Sequence, residues 1–382
     1  MIMKRILNIS KTACALLLLL GGMSACDDAK YDVIQNRVYI TQALSDESKK
    51  VTVDSENGGM TTFTVSLSDK FAQDVTVKMG VSSTVLDNYN RTHETNYKEL
   101  PASFYSFSKD EIVIPAGEVV SSLQEVNIKP LSQELVDSGD QYAIPVTVQS
   151  TDAEGVSSIS SYILILDQVI ITSVPVFNYS NHAEPVMRQD YNLNEWTVEF
   201  RVNMSSFNIN NQAIIGIYPD EVYVRFGDAG KDYNMLQVKT KGSQIDSNTR
   251  FDTNTWYHIA IVGNASSMKL YVDGVLDSTL PLSGSAAWSF EKNQFFFIGS
   301  GSTYFKADCM LSEFRFWTKA ISQSQIQNNM YIINPQTEGL EAYWKMNEGS
   351  GNVLKDATGH GNDMTAAGTL RWKDGIRSDE KK

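Results

Sequence analysis

The sequence predicts an all-β fold divided between two domains. Short runs of alternating apolar and polar residues recur along the chain, and turns rich in glycine and proline separate them. The chain has 382 residues, more than one ordinary domain, and 42% of them are hydrophobic, enough for packed cores. We place the boundary near residue 172, where Ser173-Val174-Pro175 separates two such patterns.

The first 25 residues have the order of a secretory signal peptide. Cationic residues precede an apolar run at residues 13–20, which is too short to span a bilayer. The following MSAC at residues 23–26 resembles the lipobox of bacterial lipoproteins, whose cysteine is acylated and becomes the new N-terminus. The resemblance implies lipidation at Cys26, a tether over residues 26–31 and attachment to a membrane through lipid alone.

Asp27 and Asp28 directly follow Cys26. Acidic residues at this place resemble the surface-export signal of Bacteroidota lipoproteins. The expected location is therefore the outer membrane, with the protein facing the cell exterior. An ordinary signal peptide with an incidental cysteine is the alternative.

The net charge of the chain limits the kinds of partner that it can bind. The whole chain carries a formal net charge of −13, and the chain from Cys26 onward carries −16, because residues 1–25 hold three cations and no acid. Phosphate backbones repel such a chain, so the charge argues against nucleic acid as a partner, and neutral ligands fit better.

Residues 32–171 predict two packed antiparallel sheets. The predicted strands are 63–67, 75–79, 125–128, 142–148 and 162–166. Pro145 cannot donate to a ladder, which predicts an edge strand or a bulge. Tyr162–Leu166 is apolar on both faces and predicts a central strand.

Four motifs in this part occur in a characteristic order, namely LDNYN (86–90), ELPASFYSFS (99–108), IVIPAGEVV (112–120) and YAIPV (142–146). Together they resemble an immunoglobulin-like N-terminal module of lipoproteins from Bacteroidota glycan-utilisation loci, also found in front of some family 18 glycoside hydrolases. The resemblance implies an immunoglobulin-like β-sandwich that lifts a C-terminal module from the membrane.

Residues 172–382 show a second set of strands, at 197–202, 222–226, 295–299 and 311–317 and starting at 256 and 268. Asp273-Gly274 is the pair that a type I′ hairpin turn favours. Ser322 and Gln325 form the S-x-x-Q capping box of a short helix.

The order TWYHIAIV, MKLYVDGVL, FFFIGSG and MLSEFRFWTKAIS resembles the laminin G-like and pentraxin-like branch of the concanavalin A-like jelly rolls. A segment that often opens such domains, AYWKMNEGSG, here follows near the C-terminus. We expect it to add a strand beside the one that begins at Phe177.

This fold hosts lectins, adhesion modules and hydrolases, so the site must decide the function. Retaining glycosidases need two carboxyl groups about 5 to 5.5 Å apart, and inverting ones about 6.5 to 9.5 Å. The nearest pair on one strand face, Glu195 and Glu199, would be about 13 Å apart. The catalytic runs of jelly-roll and family 18 hydrolases are missing. His258 alternates with apolar residues and predicts a hydrogen-bonded core histidine, and His93 a solvated loop residue.

Aromatic side chains on loops are the candidates for contact with a sugar. Trp196, Trp256, Trp317 and Trp344 lie in strand motifs and predict core positions. Trp288, Tyr304 and Tyr233 follow glycine-rich or polar loop segments and are the predicted ligand-binding residues, with packing on the sheet as the alternative.

One oxygen-rich loop, DATGHGND at residues 356–363, contains Asp356, Asn362 and Asp363. Its carboxylate and amide oxygens are ligands that calcium accepts, and some laminin G-like domains bind calcium. A glycine turn held by Asx hydrogen bonds is the favoured alternative. No cofactor is required by the sequence, and a structural calcium ion stays open.

These observations predict a membrane-anchored, carbohydrate-binding lipoprotein that captures an oligosaccharide or polysaccharide without cleaving it. Other glycan-uptake proteins are further candidate partners. A structural or adhesive module that recognises protein is the alternative, and a glycoside hydrolase is a less favoured one.

Overall fold

The computed structural model describes residues 37–156, 158–217, 222–282, 287–297 and 303–381. The predicted signal peptide, Cys26 and the tether lie outside the described residues. Strands account for 49% of the residues and helices for 9%, which confirms the all-β prediction. Within the described ranges, no helix is long and apolar enough to cross a membrane.

The N-terminal domain contains strands β1 to β12 and two helices. The strands are β1 Arg37–Ile40, β2 Ser48–Val53, β3 Gly59–Phe63, β4 Val65–Leu67, β5 Val75–Val81, β6 Lys98–Glu99, β7 Tyr105–Phe107, β8 Glu111–Ile114, β9 Gln124–Ile128, β10 Tyr142–Ser150, β11 Glu154–Gly155 and β12 Ser161–Gln168. The helices are α1 Ser83–His93 and α2 Gln133–Asp137, with 3₁₀ turns at Thr41–Leu44 and Ala102–Phe104.

A six-stranded sheet in the order β2-β12-β10-β5-β8, with β6 alongside β10, forms one layer of this domain. The smaller sheets β3-β9-β7 and β11-β1-β4 form the other. Ile144 and Leu164 of the large sheet share one buried core with Phe63 and Val126 of the smaller ones. The two-layer sandwich expected for this domain is confirmed, and Tyr162–Leu166 lies in a central strand as predicted.

Pro145 was expected at an edge or a bulge, but it lies in β10, between β12 and β5. The paired residues of β5 end at Val81, opposite Val146. Beyond that point the chain turns into α1, and the N–H of Ser82 donates to the carbonyl of Pro145 at 3.1 Å. The ring therefore sits where the neighbouring strand has already ended, and no ladder bond is lost.

Two other expectations for this domain are wrong. The predicted strand 63–67 is split at Thr64, because β3 and β4 belong to different sheets. His93 is the last residue of α1, where its ring stacks on Tyr89 at 4.2 Å and contacts Glu47. The helix covers the LDNYN motif, whose apolar residues are too few to show a helical period.

The C-terminal domain contains strands β13 to β29 and one helix, α3 Gln323–Asn328. The strands are β13 Ile171–Phe177, β14 Tyr191–Leu193, β15 Trp196–Met204, β16 Gln212–Ile217, β17 Val222–Phe226, β18 Met235–Thr240, β19 Ser243–Arg250, β20 Tyr257–Asn264, β21 Ser267–Val272, β22 Val275–Pro281, β23 Trp288–Phe290, β24 Phe295–Phe297, β25 Cys309–Trp317, β26 Leu340–Trp344, β27 Val353–Leu354, β28 Met364–Thr365 and β29 Arg371–Arg377.

Two antiparallel sheets pack face to face in this domain. The larger has the order β22-β21-β20-β15-β25-β13-β29, with β26 beside β25, and the smaller has the order β19-β18-β17-β16-β24. Alternate residues of β15, Val198, Phe200 and Val202, point into the shared core, as do Val224 and Phe226 of β17. The predicted jelly-roll sandwich is confirmed.

The larger sheet also has a covered outer face. Ile321, Ile326 of α3 and Ile333 pack over Trp317 and Tyr343 there. The helix begins with the predicted capping box, in which the hydroxyl of Ser322 accepts from the N–H of Gln325. The outer face of this sheet is therefore a second, smaller core.

The predicted hairpin turn is confirmed, with φ of 48° at Asp273 and 74° at Gly274 between β21 and β22. The segment Leu340–Trp344, however, does not pair with β13. It pairs with β25 through Phe314–Trp317, while the other end of β25, at Cys309 and Met310, pairs with β13. Thus β13 and β26 lie one after the other along the same edge of β25. The other edge of β13 pairs with β29.

Candidate functional site

A shallow hollow lies at one end of the C-terminal sandwich, where loops leave β15, β17 and β19. It has a volume of about 730 Å³ and is lined by residues 206–208, 230–234 and 251–253. We call it the Tyr233 hollow, because Tyr233 is its exposed aromatic residue, with 41% of its surface accessible. The predicted ligand-binding residue Tyr233 therefore lies on an open, loop-built surface.

The floor of the Tyr233 hollow is aromatic and rigid. The ring of Phe251 meets Phe226 and Tyr257 edge to face, at centroid distances of 5.1 and 4.7 Å. Phe207 packs on Phe226 in the same way at 5.1 Å. Such edge-to-face contacts add to area burial, so the floor holds its shape when the loops above it are contacted.

The loop that carries Tyr233 is fixed to this floor. The N–H of Phe251 donates to the carbonyl of Asn234 at 2.9 Å, and the amide of Asn234 donates to the carbonyl of Phe251 at 3.1 Å. At Gly227, with φ of 73°, an added Cβ would lie 3.1 Å from the Cα of Tyr233. Glycine is needed there because the returning loop passes so close.

The rim of the hollow offers polar groups. Asp232 accepts from the guanidinium of Arg250 at 2.9 Å and is held by that ion pair. The Asp252 carboxylate accepts no hydrogen bond from the described residues, and the Asn208 amide oxygen meets only a long contact of 3.5 Å from Ser206. An aromatic face beside such a carboxylate and amide is the combination that contacts C–H groups and hydroxyls of a sugar.

A buried polar network lies beside the hollow on the outer face of the smaller sheet. Arg225 donates to Gln237 at 2.7 and 3.0 Å and to Asn211 at 2.7 Å, and it pairs with Asp228 at 2.7 Å. Burial raises the pKa of Asp228, but hydrogen bonds from Ala229 and Gln237 and the charge of Arg225 lower it below its usual range. The network holds the start of the Tyr233 loop on the sheet. Arg225 alternates in β17 with Val224 and Phe226, which point into the core, so its side chain points outward, but no sequence signal indicates its partners.

The expectation that Trp288 lies on a ligand-binding loop is wrong. It is in β23 and its side chain is fully buried. Its indole N–H donates to Thr240 Oγ1 at 3.0 Å, and its ring meets Trp196 edge to face at 5.8 Å. The W-S-F alternation, with Phe290 also buried, was the signal that could have identified this strand.

Tyr304 is 48% exposed and lies outside the Tyr233 hollow. The structure therefore does not bring the three predicted ligand-binding aromatics together. The predicted core tryptophans are confirmed, since each is at most 5% exposed: Trp196, Trp256, Trp317 and Trp344. Cys309 is also buried in the core.

The Asp356 loop uses its oxygens internally. The Asp356 carboxylate accepts from Tyr343 N, Thr358 N and Oγ1, and Asn362 N and Nδ2, at 2.7 to 3.1 Å. Asp363 accepts from the N–H of Asp356 and pairs with a lysine. These residues do not fit calcium, because N–H and O–H groups of the chain already donate to the carboxylate oxygens that would bind the ion. The loop is instead a turn held by Asx hydrogen bonds.

Within the part of the chain that the structure describes, no group of three or more His, Cys, Asp or Glu side chains is placed to hold a metal ion. Asn362 is wholly buried, and its amide oxygen accepts from the N–H of Arg188 at 2.8 Å. The loop is thus tied to neighbouring segments by hydrogen bonds.

Charged side chains are also buried on the outer face of the larger sheet, under α3 and the residues after it. Arg315 lies 3.6 Å from Glu199 and 2.6 Å from Glu313, and it donates to the carbonyl of Asn329. Burial lowers the pKa of Arg315, but Tyr343 and the two carboxylates more than reverse this. No local pattern in the sequence indicates this cluster, because its members come from β15, β20, β25 and β26.

Three members of the cluster, Glu199, His258 and Arg315, have a buried side-chain atom without a hydrogen-bond partner among the described residues. Burial raises the pKa of Glu199, although Arg315 and the indole N–H of Trp317 favour its charged form. His258 is buried as predicted, but neither ring nitrogen has a hydrogen-bond partner among the described residues, contrary to expectation. Burial, with Arg315 and Arg201 nearby, holds its pKa well below 6.5, so it is neutral despite lying 3.7 Å from Glu199.

Glu195 and Glu199 do not form a catalytic pair. Glu195 precedes β15 and is exposed, whereas Glu199 is sealed in the outer face of the sheet. A general acid needs a raised pKa and access to substrate. Glu199 has the first property and lacks the second.

Comparison with known families agrees with both resemblances seen in the sequence. Residues 34–155 match a family model for an N-terminal domain, and residues 178–327 match the model of the concanavalin A-like lectin/glucanases superfamily. The C-terminal part of the chain is therefore a concanavalin A-like domain. No curated protein sequence matches the chain.

Among solved structures, "a putative carbohydrate binding protein" from Bacteroides ovatus is 25% identical, and the match covers 90% of this chain and 99% of that one with a TM-score of 0.60. EndoBT-3987 of Bacteroides thetaiotaomicron with a Man5GlcNAc product is 21% identical over 34% of this chain and 30% of that one, with a TM-score of 0.28. A two-domain protein of unknown function from Bacteroides fragilis is 11% identical over 70% and 95%, with a TM-score of 0.31. Of these three structures, the Bacteroides ovatus protein alone has a TM-score above 0.5.

Proposed function

We propose that the protein binds carbohydrate in the Tyr233 hollow and does not cleave it. The observation that carries the proposal is one exposed aromatic ring beside a carboxylate and an amide, on a floor made rigid by packed aromatic rings. The lectin/glucanase-like fold and the Bacteroides ovatus protein support carbohydrate binding as the general function.

Tyr233→Ala tests the assignment of the site. Truncation removes the stacking face, so affinity for a glycan found by screening should fall by roughly thirtyfold, or about 2 kcal/mol. The melting temperature should stay near the wild-type value, because the ring is exposed. Calorimetric titration beside thermal unfolding measures both.

Tyr179→Ala is the matched control, because Tyr179 is 49% exposed and lies outside the hollow. Tyr304→Ala separates the two remaining candidates of the sequence analysis. If Tyr304→Ala weakens binding and Tyr233→Ala does not, the site is at Tyr304. Incubation with the same glycans should release no reducing ends. Turnover that one Asp→Asn or Glu→Gln change removes would instead make the protein a hydrolase.

The anchoring of the protein rests on the sequence of residues 1–28. In this proposal Cys26 carries the acyl chains, and the N-terminal sandwich holds the sugar-binding domain away from the outer membrane on the cell exterior. Other glycan-uptake proteins would then be its neighbours. A protein ligand in place of glycan is the competing reading, and a screen that finds only protein partners would favour it.

Cys26→Ala should abolish labelling by a radioactive or clickable fatty acid and release the protein from the membrane fraction, because the acyl chains are the only proposed attachment. Ser24→Ala is the control, since it changes a neighbour and leaves the thiol in place. A Cys26→Ala protein that still takes up label and sediments with membranes would contradict the lipobox assignment.

A further inference from the structure

A groove runs between the two domains. Its N-terminal wall is formed by residues 94–98 and 139–141, and its C-terminal wall by parts of 317–338. It consists of two hollows of about 470 and 540 Å³, which share Glu94, Thr95, Asn96 and Gln325 as lining residues. The two hollows therefore adjoin and form one elongated space, which we call the interdomain groove.

Direct hydrogen bonds across the domain boundary fix the walls. The Gln141 amide donates to the carbonyl of Asn328 at 2.7 Å and to the side chain of Asn329 at 2.8 Å. The Asn334 amide donates to the Asp140 carboxylate at 2.6 Å. A preformed space at a domain interface is a common location for ligand sites.

The two domains approach so closely at Gly139 that this position has no room for a side chain. A Cβ on Gly139 would lie 2.3 Å from the carbonyl oxygen of Ile333. The two walls of the groove are therefore in direct backbone contact at Gly139 and Ile333, both of which line it.

Glu94 lies where the two hollows meet. It follows α1 with φ of 54°, a left-handed conformation that glycine or asparagine usually supplies at a helix end. Its carboxylate accepts from the hydroxyl of Ser322 on the opposite domain at 2.6 Å. A residue that is unfavourable at its own helix end is thus placed to connect the two walls.

The lining is polar, and its charges sum to zero, with Arg91, Lys98 and Lys319 against Glu94, Asp140 and Glu338. Lys98 pairs with Asp140, and amides such as Asn96 and Gln336 face the space. Asn96 is exposed and makes no hydrogen bond with the described residues, while the Gln336 amide nitrogen donates to the carbonyl of Thr358 and leaves its oxygen free to accept. Burial raises the pKa of Tyr97, so its hydroxyl keeps its proton.

We propose that the interdomain groove is a second binding site, which takes a neutral oligosaccharide. Amides and hydroxyls suit sugar hydroxyls, and hollows of about 470 and 540 Å³ fall in the usual range of ligand sites. The chain's net charge of −13 disfavours polyanions. A peptide would need apolar pockets for its side chains, but the rings of Tyr97 and Trp317 are buried and offer none. This site does not depend on the Tyr233 hollow.

Asn96→Trp tests the groove by filling it at an exposed position that holds no bond across the interface. The probes are cellohexaose, mannohexaose, xylohexaose and maltohexaose, titrated separately into the full-length protein and followed by calorimetry. With the hexaose that binds, Asn96→Trp should lose one class of sites or bind there about tenfold more weakly, a change of about 1.4 kcal/mol. Asn127→Trp, at an exposed position on β9 away from the groove, should bind as the wild type does.

The double comparison with Tyr233→Ala distinguishes the two proposals. If Tyr233→Ala loses all binding and Asn96→Trp binds as the wild type does, the groove site is overturned and the Tyr233 site is supported. Loss in Asn96→Trp alone supports the groove and overturns the Tyr233 assignment. Gln336→Trp fills the groove from the opposite wall, so that the test does not depend on the folding of one variant. Wild-type binding in both groove variants overturns the proposal. Binding of only a peptide or an anionic polysaccharide overturns it as well.

Discussion

Trp288→Ala should lower the free energy of unfolding by about 3 to 5 kcal/mol. The side chain is fully buried in the core of the jelly roll, so the change leaves a large cavity between β23 and the facing sheet. It also removes the edge-to-face contacts with Trp196 and leaves the buried Thr240 hydroxyl without its indole donor. Thermal and urea unfolding of the purified variant measure the loss.

Trp372→Ala is the matched control. Trp372 is only partly buried in β29 and donates to the carbonyl of Gly351 at 3.1 Å, so its removal should cost clearly less. If Trp288→Ala unfolded like the wild type but lost glycan affinity, Trp288 would be a ligand-contacting loop residue after all, and the packing described for β23 would be wrong.

Trp288 was predicted on a loop but is buried in a strand, because the residues around it do not determine its burial. The sequence before it is small and polar, SGSAA, and such composition is typical of loops. The strand itself is only Trp288–Phe290, too short for alternation to be recognised, and its partner β14 lies about a hundred residues earlier in the chain. The burial of such a residue is decided by distant segments.

Features decided by neighbouring residues were predicted well. The type I′ turn at Asp273-Gly274 and the capping box at Ser322 and Gln325 depend on backbone conformation and hydrogen bonds within a few residues. The central position of Tyr162–Leu166 follows from apolar residues on both faces.

Features decided by pairing between distant strands were not predicted. The pairing of Leu340–Trp344 with β25 depends on where β13 stops pairing, and nothing within either segment states that. Likewise, Pro145 is tolerated in a central strand only because β5 ends opposite its neighbour. In the candidate site, loop composition identified Tyr233, but the aromatic rings beneath it come from β17, from β20 and from the loops after β15 and β19.

The buried cluster around Arg315 gives the second large expected effect. Glu199 and Arg201 are two residues apart in β15 and share one face of the strand, and charged residues on such a face are usually solvated. Here α3 and the residues after it cover the face, and the side chain of Arg315 is fully buried. Ionised groups in such surroundings must be paired, since each costs several kcal/mol to remove from water.

Arg315→Met should destabilise the protein by about 3 to 5 kcal/mol at neutral pH, because it leaves buried carboxylates without their cation. The loss should shrink on acidification. Burial already raises the pKa of Glu199, and removal of Arg315 raises it further. Because the pKa of Glu199 is higher in the folded variant than in the unfolded chain, the folded variant binds more protons at pH values between the two. The stability that this protonation contributes is fully present below the unfolded pKa and is lost as the pH rises through the folded pKa. Urea unfolding from pH 5 to pH 8 tests this.

The double variant Arg315→Met with Glu199→Gln supplies the control, because a neutral amide needs no counter-ion and its oxygen can still accept from the indole of Trp317. It should recover part of the stability lost in the single variant and reduce the dependence on pH, since Glu313 keeps its contact with the hydroxyl of Tyr343. If the two changes instead destabilised additively, with no effect of pH on the difference, the charge of Glu199 would not be what Arg315 balances. The cluster would then stabilise the domain through packing of α3 on Trp317 and Tyr343 alone.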